Sequence, residues 1–214
     1  MKIFDCTTYF NEPMLFELRL NILDKYVDEF IIAEALYTHS GKKKKINFNS
    51  ELYPKFKKRI RHIIIENEPN NIFSTEENKN NISIQSIYRM NAARRIEFQR
   101  NALAKVFNKM NHNDWVIYSD SDEIPNLEKI NFKKIKEKFL LFKQNMFYYK
   151  FNLGLPTLNW FGSKACQYKN LTSISELRNI KPKKYGWWRF DTMFKKNKFI
   201  DIKIIENGGW HFTE

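Results

Sequence analysis

The stretch Asp114–Asn126, D-W-V-I-Y-S-D-S-D-E-I-P-N, limits the architectures open to this chain more than any other. Trp115, Val116, Ile117 and Tyr118 form a short unbroken run of apolar, β-prone residues. That pattern belongs to a strand buried on both faces of a sheet. Ser119, Asp120, Ser121, Asp122 and Glu123 follow at once, and Pro125 stops further extension. Three carboxylates within four residues repel one another unless a cation or a donor-rich partner sits among them. At the C-terminal end of a buried strand, where open α/β sheets bind ligands, the cluster reads as a hard-metal site. The plainer alternative is a solvated acidic turn that follows a strand.

The residues before it supply the other strands of such a sheet. Lys2–Tyr9 is strand-like, and Asn11-Glu12-Pro13 opens a helix with Asn11 as cap and Pro13 in its first turn. Leu15, Leu18, Ile22, Leu23 and Tyr26 give that helix an apolar stripe. Phe30-Ile31-Ile32-Ala33 is the next buried strand, ending in Glu34, and strand–helix–strand with short connections predicts parallel pairing. Leu52–Arg61 predicts a basic helix, and Ile63-Ile64-Ile65 a third strand ending in Glu66. Asn67–Asn81, rich in Asn and Glu, has the length of a binding loop.

A long helical pattern runs from Ser86 to Asn108 through Ile87, Ala92, Ile96, Leu103 and Phe107. Its plain reading is a surface helix with i,i+3/4 charge pairs. Its functional reading directs Glu97, Arg100 and Asn101 at the sheet edge. Leu127–Phe142 predicts a lysine-rich amphipathic helix, and Met146–Phe151 another strand. The last sixty or so residues change character: Trp160, Trp187 and Trp188 sit among short β-like pieces with little helical period. Such tryptophans either stack on sugar rings or fill a core. The chain closes on Glu206-Asn207-Gly208-Gly209-Trp210-His211-Phe212, where two glycines permit a tight backbone and His211 offers a metal or phosphate ligand.

With 214 residues and no repeats, one domain is expected, its nucleotide-binding half at about 1–125 and its acceptor-facing half at about 126–214. The charge of +13 invites a polyanion or an anionic membrane surface. The excess is mostly lysine scattered among Asn and Ile, however, which suits an electropositive rim for a phosphorylated substrate better than a nucleic-acid groove. No stretch approaches the roughly 18 apolar residues of a membrane span, and Met1–Phe10 reads as a strand and not as a signal peptide. A soluble, cytoplasmic protein is expected, with peripheral contact at the inner face of a membrane as an option. Cys6 and Cys166 lack metal-motif spacing and are expected to be buried free thiols.

Five segments together resemble the family-17 glycosyltransferases. They are Phe4–Leu23, with Glu17, Arg19 and Asn21 as an E-x-R-x-N element, Phe30–Lys44, Arg94–Leu103, the S-D-S-D-E-I-P of Ser119–Pro125, and the G-G-W-H-F of Gly208–Phe212. The resemblance implies a GT-A-like (Rossmann-like) α/β fold with a mixed, mostly parallel sheet flanked by helices. It also implies a UDP-sugar donor, most simply UDP-N-acetylglucosamine, a glycan or glycoconjugate acceptor, Mn²⁺ or Mg²⁺, and inverting transfer. On this reading Asp120 and Asp122 form the D-x-D pair, with Asp122 the main metal ligand and Asp120 bridging metal and ribose, and His211 joins them. Arg100 and Lys42 become candidates for the diphosphate or the nucleotide rim, and Glu34 for orienting the nucleotide. Glu123, Asp191 and Glu206 are alternative general bases. Against the family, the chain looks short at its C-terminus and lacks the N-terminal anchor of Golgi members.

Other classes remain in view. A degenerate relative would bind a sugar nucleotide without turning it over. A basic nucleic-acid module would need an RNP-like, zinc-finger or helix-turn-helix signature, and none is present. A phosphoryl-transfer enzyme with Asp120 as nucleophile lacks the accompanying lysine and acid motifs.

Overall fold

Side-chain alternation along the first strand, β1 (Ile3–Thr8), sets the layering of the chain. The computed structural model describes residues 1–74, 83–148, 151–182 and 201–213. In it Ile3 points into one core, and Phe4 and Cys6 into the other. β1 lies between two parallel partners, β2 (Glu29–Ala35) and β4 (Trp115–Ser119), and β3 (Ile60–Ile65) extends the sheet beyond β2. On the far side of β4 the antiparallel β9 (Lys164–Gln167) intervenes. Beyond it come β6 (Phe139–Phe142) and β10 (Ile202–Ile205), parallel to each other. The seven-stranded order is β10-β6-β9-β4-β1-β2-β3, a mixed and mostly parallel sheet of the α/β kind expected from the sequence.

Helix α1 (Pro13–Leu23) covers one face, over Ile3, Phe30, Ile32, Trp115 and Ile117. The other face carries α2 (Ile84–Ala102) and α3 (Ile174–Asn179), over Cys6, Ile31, Ala33, Val116 and Tyr118. Trp115 to Tyr118 are fully buried, as their unbroken apolar run requires. A second sheet of four strands, β5 (Glu123–Pro125), β11 (Gly209–Thr213), β7 (Gln144–Tyr148) and β8 (Leu153–Trp160), packs the C-terminal strand between β5 and β7. β5 and β8 are its edges, which is where their prolines, Pro125 and Pro156, cost no ladder bond. Pro125 therefore ends a short strand that starts at Glu123, two residues before it.

Four local expectations are corrected. Asn11 does not cap α1: Glu12 occupies the cap position without a side-chain cap bond, and its carboxylate accepts the Phe10 and Asn11 N–H groups at 3.0 and 2.9 Å. The buried stripe of that helix is Phe16, Arg19, Leu20 and Leu23, and Leu18 is exposed. The basic helix expected over Leu52–Arg61 is absent: 3₁₀ turns at Ser50–Leu52 and Lys57–Arg59 lead into β3 at Ile60, with Phe48, Tyr53 and Phe56 packed individually into the α1 face of the core. The lysine-rich helix expected over Leu127–Phe142 is absent. One 3₁₀ turn, Phe132–Lys134, precedes β6, where Leu140 and Phe142 enter one core and Leu141 the other. Burial of consecutive apolar residues on opposite faces overrode the helical spacing of the lysines. Cys6 and Cys166 are buried free thiols, and no helix among the described residues is long and apolar enough to cross a membrane.

Glu34, near the end of β2, points into the α1 face with no exposed surface. It accepts from Lys44 Nζ at 2.5 Å and from the Asn47 and Phe48 amides at 2.8 and 3.1 Å, with His62 Nε2 at 3.4 Å. Burial alone would raise its carboxyl, but these donors outweigh it and bring it from 4.5 to about 2. A depressed folded pKa stabilises above 4.5, and the benefit is lost as pH falls toward 2. Glu34→Ala is therefore expected to cost about 3–5 kcal/mol near neutrality, as for other broken buried pairs. In chemical denaturation the gap to wild type should narrow steadily through the acid range, and a gap independent of pH would contradict this role.

Candidate active site

The parity of β4 decides where the acidic segment points. Val116 and Tyr118 face α2 and α3, so Asp120, next on that side, meets the arginines those helices carry. Arg100 Nη2 of α2 lies 3.1 Å from each Asp120 carboxylate oxygen. Arg178 Nη2 of α3 donates to Oδ2 at 2.7 Å, and the Tyr118 hydroxyl donates to Oδ1 at 2.6 Å. A carboxylate offers about four lone-pair sites, and these donors use them. Burial works to raise the Asp120 carboxyl, yet the two guanidinium groups and the phenol hold it below the usual carboxylate range.

The turn itself is gripped from the opposite face. Arg19, fully buried on α1, makes a bidentate pair with Asp5 of β1, both bonds 2.6 Å long. Its Nη1 also donates to the Glu123 carbonyl at 2.6 Å and lies 3.5 Å from the Asp120 carbonyl. Within the turn Glu123 N–H donates to the Asp120 carbonyl at 3.1 Å, and Asp120 N–H to Glu123 Oε2 at 3.1 Å.

Glu123 is 1% exposed and enclosed by donors. Its Oε1 accepts from Trp160 Nε1 at 2.7 Å and from Arg178 Nη2 at 2.9 Å. Burial pushes its carboxyl up, against the pull of Arg178 and with help from nearby Asp120. Gly162 leaves room for it: a Cβ there would sit 2.3 Å from the Glu123 carboxylate. Antiparallel pairing of β11 with β5 puts His211 opposite Glu123, and Phe212 N–H donates to the Asp122 carbonyl at 2.8 Å. This approach needs Gly209, whose φ is +126° and whose Cβ would fall 2.1 Å from the Ile124 carbonyl oxygen. His211 Nε2 then lies 3.0 Å from Asp122 Oδ2, its ring stacked on Trp160 at 4.7 Å, and its Nδ1 is buried without a partner among the described residues. Side-chain oxygen or nitrogen atoms of Asp122, Glu123 and His211, one from each, could hold a metal ion and lie within 4.8 Å of one another.

The sequence model of glycosyltransferase family 17 matches residues 1–181. The chain belongs to glycosyltransferase family 17. The match takes in Arg19, Arg100 and Arg178 and leaves only β10 and β11 of the described strands outside it. No curated protein matches the chain significantly. Among solved structures, the crystal structure of HddC from Yersinia pseudotuberculosis aligns over 97% of this chain and 92% of its own, at 9% identity and a TM-score of 0.39.

In this family-17 enzyme the sequence-derived site residues part company. Asp120, Asp122, Glu123, His211 and Arg100 converge. Glu34 is spent on holding residues 44–48, and Lys42 is exposed in a loop closed by the Tyr37–Lys43 bridge. Glu206 pairs with Lys143 at 2.9 Å on a side chain 66% exposed, and Asp191, Trp187 and Trp188 lie outside the described residues. Trp160 joins the acidic cluster directly. Asn101, expected at the sheet edge, accepts the Ser175 amide at 3.0 Å and seats α3. Sequence reasoning missed Arg178, and it missed Arg19 as a contact of the acidic turn. For Arg19 a signal existed: it stands at the i+3 position of the Phe16–Leu20–Leu23 stripe, where a charge needs a buried partner. Lys164, also missed, donates to the Arg178 carbonyl and, at 2.6 Å, to that of Ile180, seating the end of α3. Burial, with Arg178 beside it, brings its ammonium down from 10.5 to about 7.

Arg19→Met should cost about 3–5 kcal/mol in denaturant unfolding by leaving Asp5 buried without its partner. Adding Asp5→Leu should return most of that stability while glycosyl transfer stays low, because the Asp120 and Glu123 carbonyls lose their tie. Recovery of activity together with stability would show that Arg19 serves the core alone.

Proposed function

We propose that this glycosyltransferase moves N-acetylglucosamine from a UDP donor to a hydroxyl of a glycan-type acceptor, with inversion and with Mn²⁺ or Mg²⁺ bound at Asp122 and His211. The observation that carries this is the pair Asp122 Oδ2–His211 Nε2 at 3.0 Å, formed at the C-terminal edge of the parallel sheet. A carboxylate and an imidazole suit Mn²⁺ better than a purely oxygen-seeking ion, and two protein ligands leave positions for diphosphate oxygens and water. Asp122 is 36% exposed on its side chain, so the pair is open to an arriving ligand. Glu123 completes the cluster in space, but its oxygens already accept from Trp160, Arg178 and the Asp120 amide. It therefore braces the site and does not serve as the base.

The transfer balances simply. The bond from the sugar's anomeric carbon to the diphosphate breaks, with its electron pair going to the phosphate oxygen. The acceptor oxygen bonds to that carbon from the opposite face and gives its proton to a base. A divalent ion at Asp122 would neutralise charge gathering on the departing diphosphate. The protein's own part is to keep Asp122 and His211 in register through the β5–β11 ladder and to exclude water below them with Trp160.

Asp122→Asn should retain the wild-type circular dichroism spectrum and melting behaviour while lowering metal-dependent UDP release from UDP-N-acetylglucosamine by about 100-fold or more. Undiminished turnover in that variant would remove Asp122 from the mechanism. Turnover of the wild type that ignores chelators would remove the metal.

A further inference from the structure

We infer that Asp120, the first acid of the D-x-D pair, is the anchor of a guanidinium pair, Arg100 and Arg178, which binds the diphosphate of the donor beside the Asp122–His211 site. This rests on the sugar-nucleotide reading above; Arg100 is already a diphosphate candidate from the sequence, and the structure adds Arg178 as its partner and Asp120 as the anchor of both. Asp120 has no acceptor capacity left for a metal: Arg100 reaches both of its oxygens, and Tyr118 and Arg178 take one each. What a saturated carboxylate does instead is fix its donors. Arg100 is further held through Nε by the Tyr118 hydroxyl at 2.9 Å, and Arg178 through Nη1 by the Gly162 carbonyl at 2.5 Å. Both guanidinium groups are thereby oriented before any ligand arrives, which is the condition under which a cation stabilises developing charge most strongly.

Donors remain for that task. Arg100 Nη1 and Arg178 Nε have no hydrogen-bond partner among the described residues. The side chains keep 20% and 13% of their surface exposed, beside an Asp120 that is itself 26% exposed. The pair thus opens to solvent two residues along the turn from Asp122. Both stay charged: burial would lower them, but Tyr118 and Asp120 hold Arg100 up, and Glu123 and Asp120 hold Arg178 up. Planar, fixed forks of this kind match phosphate oxygens in a way a lysine does not. The two come from different helices, α2 and α3, so the diphosphate would tie both helices to the sheet edge.

The test is calorimetric titration of UDP into the full chain, with Mn²⁺ and with EDTA. Variants are Arg100→Gln, Arg178→Gln, Arg178→Lys and Asp122→Asn, each checked by circular dichroism. Loss of either arginine should weaken UDP about tenfold or more in both conditions, with Arg178→Lys recovering only part. Asp122→Asn should abolish only the gain that Mn²⁺ brings. If Arg178→Gln does not fold, Arg100→Gln decides, since Arg178 still neutralises Asp120 there. Wild-type UDP affinity in Arg100→Gln or Arg178→Lys, with or without metal, overturns the inference and leaves the glycosyltransferase reading intact. A wild type that binds no UDP under either condition overturns both.

Discussion

The buried Arg19–Asp5 pair is the interaction on which the site depends. A guanidinium with no exposed surface is tolerable only where every nearby donor finds an acceptor. Here two go to Asp5 on β1 and a third to the Glu123 carbonyl at the far end of the acidic turn. A helix, a core strand and the acidic turn are thus joined through one side chain, at a point where the turn's carbonyls would otherwise lie buried beside apolar residues. The pair also explains why a carboxylate sits in the middle of a core strand between Phe4 and Cys6. Asp5 is there to neutralise Arg19, and Arg19 is there to hold the turn.

From the other face the same turn is held by its side chains. Strand alternation sends Tyr118 and Asp120 toward α2 and α3, where Arg100 and Arg178 meet them. The backbone is gripped from below and the carboxylates from above, by three arginines on three helices. Such over-determination fits a site in which like charges lie close together, since Asp120 and Glu123 would repel each other without Arg178 between them. The buried Ser119–Ser163–Gln144 hydrogen bonds, 2.7 and 2.9 Å long, fasten the end of β4 to β9 and β7 in the same way.

Much of this was legible because it follows from short-range rules. The unbroken Trp115–Tyr118 run could only be a strand covered on both faces, and the strand–helix–strand opening could only close in parallel. The D-x-D segment, its place after that strand and its meeting with His211 were readable from residue chemistry and family pattern together. What failed did so where tertiary packing outweighed local periodicity. Phe139–Phe142 has a helix-like lysine pattern before it, yet its consecutive apolar residues serve two cores and so form a strand. Glu34 looked like a ligand-binding acid at a strand end, but parity turned it inward toward Lys44 and the Asn47 and Phe48 amides. Arg178 gave no signal, because nothing in a six-residue helix reveals that its C-terminal half will be seated under Asp120 by Lys164.

The charge balance of the turn then singles out Asp122. Asp120 is matched by Arg100 and shares Arg178 with Glu123, and Asp5 is matched by Arg19, so the buried acids and arginines cancel. Asp122 is the acid of the turn left facing outward, with a histidine ring beside it and, among the described residues, no arginine paired to it. Negative charge is least compensated there, and what surrounds the other acids is why the proposed cation site rests on Asp122. His211 reaches it only because β11 slides between β5 and β7, which the close backbone approach at Gly208 and Gly209 permits. The acidic turn therefore comes from the middle of the chain, and Asp122 meets His211 only when β11 seats beside β5. The β5–β11 pairing of the small sheet and the Asp122–His211 contact thus depend on the same strand.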